Sequence, residues 1–72
     1  MAALSITELT LSGGERVRVD GDSHDVEAAI LAAARGSLLE FAWMTEADSG
    51  RRVGVNPDRV VMIRAAEPSP GG

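Results

Sequence analysis

The absence of cysteine is the feature that most limits how this chain of 72 residues can fold, and His24 is its single histidine. A core of this size rarely supplies more than ~3–5 kcal/mol, so such domains usually add a disulfide, a metal or a partner subunit. Disulfides are excluded, and a zinc site is nearly excluded because thiolates and a second imidazole are missing. We therefore expect self-association rather than a cofactor, with idealised packing as the alternative.

Alternation of apolar and polar side chains predicts a β-hairpin near the start of the chain. One strand is predicted over residues 4–11 and a second over residues 16–19, pairing antiparallel. Between them, residues 12–15 read Ser-Gly-Gly-Glu, and glycine supplies the positive φ angles that a tight turn needs. The side chains predicted to face inward are Thr7, Leu9, Leu11, Val17 and Val19.

A helix is predicted to begin at Asp22 or Ser23, because either side chain can cap the first turn. It is predicted to run to about Arg35, with Gly36 as the left-handed residue that ends it. The apolar stripe along this alanine-rich helix consists of Val26, Ile30 and Ala33, with Ala29 and Ala34 beside it.

Three more strands are predicted after the helix, over residues 37–46, 51–55 and 59–64. Residues 56–58 are predicted to form a turn or a single helical turn, because proline cannot donate to a ladder. Residues 67–72 are rich in proline and glycine, which predicts a disordered tail.

The predicted order β-β-α-β-β-β indicates an α+β fold with one domain over residues 1–66. Hairpin links on either side of one helix favour a mostly antiparallel sheet of about five strands, with the helix packed on one face. One helix covers one face, so the other face needs a different cover.

Three short motifs resemble nucleotide-binding, calcium-binding or catalytic sites, and each has a structural explanation. Residues 11–15 (Leu-Ser-Gly-Gly-Glu) resemble the signature motif of ABC-transporter ATPases, but the chain has no lysine for the phosphate-binding loop that such a motif serves. Residues 20–25 are rich in carboxylates but lack the ligand spacing of a calcium loop, so helix capping explains them. Ser23 and His24 are adjacent at a helix start, where they point in different directions. No catalytic residue is expected.

Formal net charge is −4, and all seven basic residues are arginines. An acidic chain repels nucleic acid and anionic membranes at long range, so neither is expected as the main partner. Residues 49–66 are locally basic, and Trp43 could stack a base. A small nucleic-acid-binding regulator that uses the region from Arg51 to Arg64 is therefore the alternative function.

Apolar residues occupy both faces of the last predicted strand. One parity holds Val61 and Ile63, and the other holds Val60 and Met62. Because an uncovered apolar face is adhesive, subunit or partner contact is favoured over simple exposure. The predicted contact has an apolar centre formed by Trp43, Met44, Val60 and Met62. Its basic rim is formed by Arg51 and Arg52. Trp43 is the predicted anchor of this contact. Leu38 is predicted on the uncovered face, together with Met44.

Four segments within residues 15–65 form a strand-helix-strand-hairpin pattern: Asp25-Val26-Glu27-Ala28-Ala29, Gly36-Ser37-Leu38-Leu39, Gly50-Arg51-Arg52-Val53 and Val60-Val61-Met62-Ile63. This pattern resembles a family of short actinobacterial proteins of unknown function. The chain departs from the family pattern at Asn56-Pro57-Asp58 and in a longer third strand with Trp43. The resemblance implies the fold and a bacterial, cytoplasmic setting, and it brings no active site.

These patterns together predict a non-enzymatic protein–protein interaction module that partners itself or another protein. It would be a homo-oligomer, or a small adaptor or regulatory subunit of a bacterial assembly. No segment approaches the ~20 apolar residues that span a bilayer, and no signal peptide is recognised, so a cytoplasmic location is expected.

Overall fold

The computed structural model describes residues 5–36 and 40–66. The elements follow the order β-β-α-β-β-β, with a 3₁₀ turn before the last strand, so the predicted α+β class is confirmed. They are β1 (Ile6–Leu11), β2 (Arg16–Asp20), α1 (Ser23–Ala34), β3 (Ala42–Thr45), β4 (Arg52–Val55), the 3₁₀ turn (Pro57–Arg59) and β5 (Val60–Ala66).

The five strands are antiparallel and divide between two sheets. One sheet has the order β2-β1-β5, and the other consists of β3 and β4. A single bridge between Val19 and Glu46 joins them, next to a hydrogen bond from the Ala47 N–H to the Arg18 carbonyl of 2.8 Å. The two sheets therefore meet at one end of β3, and elsewhere they can diverge around the core.

The β1–β2 hairpin is antiparallel, as predicted, and its register puts Leu9 opposite Val17 and Thr7 opposite Val19. Its turn closes through a hydrogen bond from the Leu11 N–H to the Glu15 carbonyl of 2.8 Å. Of the two turn glycines, Gly14 alone has a positive φ, at 92°. The predicted inward parity is confirmed, because Thr7, Leu9 and Val19 are buried while Leu11 and Val17 are half-buried.

Helix α1 begins as predicted, with Asp22 as the N-cap. The Asp22 carboxylate accepts a hydrogen bond of 2.9 Å from the Asp25 N–H. The helix end differs from the prediction, because Gly36 does not have a positive φ. Instead, the Gly36 N–H donates to the Ala33 carbonyl at 3.2 Å, a tightened last turn that satisfies a terminal carbonyl without a left-handed residue.

The core lies between α1 and the inner faces of both sheets. Only Val26 and Ile30 are buried on the helix, so the rest of the core comes from the strands. Its members are all aliphatic or methionine: Leu9, Val19, Val26, Ile30, Ala42, Met44 and Val55. Half-buried side chains from β2, β4 and β5 pack around this cluster.

The C-terminal elements agree with the predicted types and differ in their bounds. Strand β3 is shorter than the predicted strand over 37–46, and residues 37–39 lie outside the described part of the chain. Asn56 caps the 3₁₀ turn by accepting a hydrogen bond of 2.9 Å from the Asp58 N–H. The predicted tail over 67–72 also lies outside the described residues. Within residues 5–36 and 40–66, no helix has the length and apolarity needed to span a bilayer.

Thr7 provides a test of how β1 is tied to the segment that leads into α1. The fully buried Thr7 hydroxyl donates to the Gly21 carbonyl at 2.9 Å. We expect Thr7→Val, which keeps the side-chain shape, to lower the free energy of unfolding by ~1–3 kcal/mol, because the Gly21 carbonyl loses its donor. Urea denaturation measures this. Thr7→Ser keeps the donor and should cost less; an unchanged midpoint for Thr7→Val would show that the bond contributes nothing.

Candidate interaction surface

The outer face of β3 carries two exposed aromatic side chains. Because Ala42 and Met44 point into the core, the alternate residues point outward. Trp43 is 60% exposed and Phe41, just before the strand, is 45% exposed. Their ring centroids are 6.4 Å apart with an interplanar angle of 40°, which is a tilted aromatic pair.

Gly54 provides the floor beneath these rings. It lies directly opposite Trp43 in the β3–β4 register. A Cβ at Gly54 would be 3.1 Å from Trp43 Cη2, 3.2 Å from Trp43 Cζ2 and 3.2 Å from Phe41 Cβ. The indole therefore lies against the bare backbone of β4, and we call Phe41, Trp43 and Gly54 the aromatic patch.

Two exposed arginines lie at the start of β4, and one of them shares a face with the aromatic patch. Arg52 opens β4 opposite Thr45 and shares the outer face with Gly54, two residues away. Arg51 precedes the strand, and its N–H donates to the Ser49 hydroxyl oxygen at 3.2 Å. The turn before them ends at Gly50, whose φ is 74°. The β3–β4 hairpin thus presents aromatic and guanidinium groups on one surface.

A β-bulge changes which residues of β5 face the core. The register pairs Leu11 with Val60 and Thr10 with Met62, so Val61 is the extra residue. Val60 and Ile63, three residues apart, both pack against the core. The alternation predicted for residues 60–63 is therefore wrong: Val61 is 63% exposed, and Met62 is 46% exposed.

The structure brings together only some of the predicted contact residues. Trp43, Arg51 and Arg52 share one hairpin, whereas Met62 belongs to the other sheet. The placement of Met44 at a surface is corrected, because Met44 is 7% exposed and lies in the core. Val60 is half-buried against the core, because the bulge at Val61 changes the alternation of inward and outward side chains in β5. Leu38 lies outside the described residues.

Two members of the aromatic patch were missed by the sequence prediction. Period two placed Phe41 on the same face as Trp43, but both faces of this segment are apolar, so the pattern did not say which one is covered. Gly54 had a usable signal, because a glycine inside a strand often marks a close approach by another group.

No family model, curated protein or solved structure matches the chain. Among the described residues, no three His, Asp or Glu side chains lie close enough together to hold a metal ion.

The contact between Gly54 and the indole can be tested by adding one methyl group. We expect Gly54→Ala to displace the Trp43 ring, because the new Cβ would be closer to the ring than ordinary packing allows. The shift should appear in the indole N–H resonance and in tryptophan fluorescence. In a Trp43→Ala background, Gly54→Ala should cost less stability than it does alone, as a double-mutant cycle would show. Additive effects would mean that the ring does not rest on Gly54.

Proposed function

We propose that this chain is a non-enzymatic protein–protein interaction module that binds through the aromatic patch and its arginine rim. The observation that carries the proposal is the location of the aromatic residues. The chain has one tryptophan, one phenylalanine and no tyrosine, and both aromatic side chains are exposed side by side. Aromatic side chains bury ~150–250 Å² each and dominate the energetics of cores and interfaces.

Leaving both aromatic groups in water is costly for a domain whose core is this thin. The seven buried core residues include nothing larger than leucine, isoleucine or methionine, so the largest apolar side chains contribute little to the fold. A partner surface that covered Phe41 and Trp43 would remove their apolar area from water and so stabilise the complex. An interface is the simplest cover for such a patch.

The chemistry of the patch suits a protein partner. Tryptophan and arginine are the residues most enriched among interface hot spots, and here Trp43 and Arg52 lie on one face. We favour self-association, since the chain has neither disulfides nor a zinc-type ligand set to supplement its core.

The same surface would serve a small adaptor or regulatory subunit of a larger assembly. The bacterial and cytoplasmic setting belongs to this proposal and rests on the sequence resemblance described above. Exposed Val61 and Met62 offer a further, smaller apolar area on the other sheet.

Self-association through Trp43 predicts a concentration-dependent mass. We expect light scattering across a dilution series to show an oligomer for the wild-type chain and a monomer for Trp43→Ala. Because Trp43 is mostly exposed, the variant should unfold with a free energy within about 1 kcal/mol of the wild-type monomer. The matched control is Leu31→Ala, which truncates an exposed apolar residue on α1, outside the patch. It should form the same oligomer as the wild-type chain. A strict monomer at high wild-type concentration would exclude self-association and leave a different protein as the partner.

A nucleic-acid-binding role is the second candidate, because an exposed tryptophan beside an arginine can stack and hold a base. The positions of the arginines argue against it. Arg52 is on β4, whereas Arg64 is on β5 opposite Glu8, so the basic residues do not form one continuous stripe. The net charge of −4 acts in the same direction.

Filter binding with a single-stranded oligonucleotide separates the two roles. We expect no retained complex even at low salt, because the acidic chain repels the phosphate backbone. Tight binding that falls steeply as salt rises, and that is lost in Arg52→Ala, would replace the protein-interaction proposal with this one.

A further inference from the structure

A cleft of about 380 Å³ lies along β4, and Phe41 and Glu46, which flank β3, also line it. Its walls come from the β1–β2 hairpin, from β4 with its flanking residues, and from the 3₁₀ turn; they include Leu11, Val17, Val53, Gly54, Val55 and Arg59. Val53 and Val55 face the core, whereas Gly54 faces the aromatic patch. Residues of both faces can line one cavity only where it runs along the edge of the strand, so the cleft follows the edge of β4.

The backbone at this edge has polar groups available for pairing. Among the described strands, β4 pairs with β3 alone. The Glu46 N–H donates to the Arg51 carbonyl at 2.7 Å, which makes Glu46 and Arg51 a hydrogen-bonded pair. Because hydrogen-bonded and non-hydrogen-bonded pairs alternate in an antiparallel ladder, the N–H and C=O groups of Arg52 and Gly54 point away from β3.

The side chains around the edge differ between the two faces. On the core side, Leu11 and Val17 are half-buried and, with Val53, form an apolar wall. On the outer side, Arg52 is exposed next to Gly54. The exposed Arg59, which ends the 3₁₀ turn, lines the cleft. Glu46 also lines the cleft, and its carboxylate accepts a hydrogen bond from the Ser49 hydroxyl.

We infer that the edge of β4 receives an extended peptide segment of a partner protein, in which apolar and acidic residues alternate. Successive side chains of an added strand point to opposite faces. The apolar side chains would enter the cleft beside Leu11 and Val17, while the carboxylates would meet Arg52 and Arg59. The backbone groups of Arg52 and Gly54 would pair with the added strand.

This inference goes beyond the aromatic patch and does not require self-association. Trp43 lies on the outer face of the β3–β4 hairpin, whereas the added strand lies in line with β4 at its edge. Phe41 and Gly54 border both places. A chain that is a strict monomer could still bind such a segment, and an oligomer could fail to bind it.

The test uses the full chain and two synthetic peptides of about seven residues with blocked ends. In the first peptide valine alternates with glutamate, and in the second it alternates with lysine. Titrations are followed by amide hydrogen exchange and by chemical shifts. We expect the glutamate peptide to slow exchange at the Arg52 and Gly54 amides, and to bind about tenfold more tightly than the lysine peptide at low salt.

Two substitutions at one position separate the charge from the backbone contact. Arg52→Ala removes the guanidinium, and Arg52→Pro also removes the N–H, at the first residue of a strand where proline is tolerated. We expect Arg52→Pro to bind the glutamate peptide about fivefold more weakly than Arg52→Ala does. The titration is repeated on Trp43→Ala, which removes the proposed anchor of self-association and keeps the cleft residues Phe41 and Gly54. Binding to this variant is therefore measured without oligomer formation.

Three results would overturn the inference. The first is equal affinity for the two peptides, and the second is an equal loss of affinity for the glutamate peptide in the two Arg52 variants. The third is an unchanged rate of amide hydrogen exchange at Arg52 and Gly54 when the glutamate peptide is bound. If octanoate bound saturably and prevented the glutamate peptide from binding, the cleft would be assigned to a small apolar ligand instead.

Discussion

The amount of apolar surface that a helix of 12 residues can cover sets the size of this core. Helix α1 is rich in alanine, and only Val26 and Ile30 reach full burial from it. Such a helix can lie close to the strands, and the side chains beneath it are then small or flexible, such as Ala42 and Met44. The indole and the phenyl ring are on the other face of the same strand, which links the packing of the core to the candidate interaction surface.

Several parts of the fold could be predicted from local sequence because the physics that determines them is local. The hairpin follows from alternation around Gly-Gly, and the start of the helix follows from the capping side chain of Asp22. The inward parity of Val53 and Val55 also follows from alternation. Each of these features depends on residues within a few positions of one another.

The features that could not be predicted depend on which strands become neighbours. The bulge at Val61 exists because β5 pairs with β1, a contact between residues about 50 positions apart, and it moves Met62 outward while Val60 turns inward. The orientation of β3 was undetermined because both of its faces are apolar, and for this reason Met44 was placed at the surface. The aromatic patch was therefore predicted only in part: Trp43 was identified from the sequence, and its neighbours Phe41 and Gly54 were not.

The bulge in β5 also bears on how copies of this chain could polymerise. Among the described strands, the Val19–Glu46 bridge joins the β2 side of one sheet to the β3 side of the other. This leaves β4 and β5 outermost, so both could act as templates for another strand. A molecule with two regular edges can add copies without end, as amyloid-forming segments do. Strand β5 has a bulge at Val61 and carries the exposed Arg64, which makes it a poorer template than β4. Growth by strand addition would then stop after a single event, which favours a finite complex over a fibre.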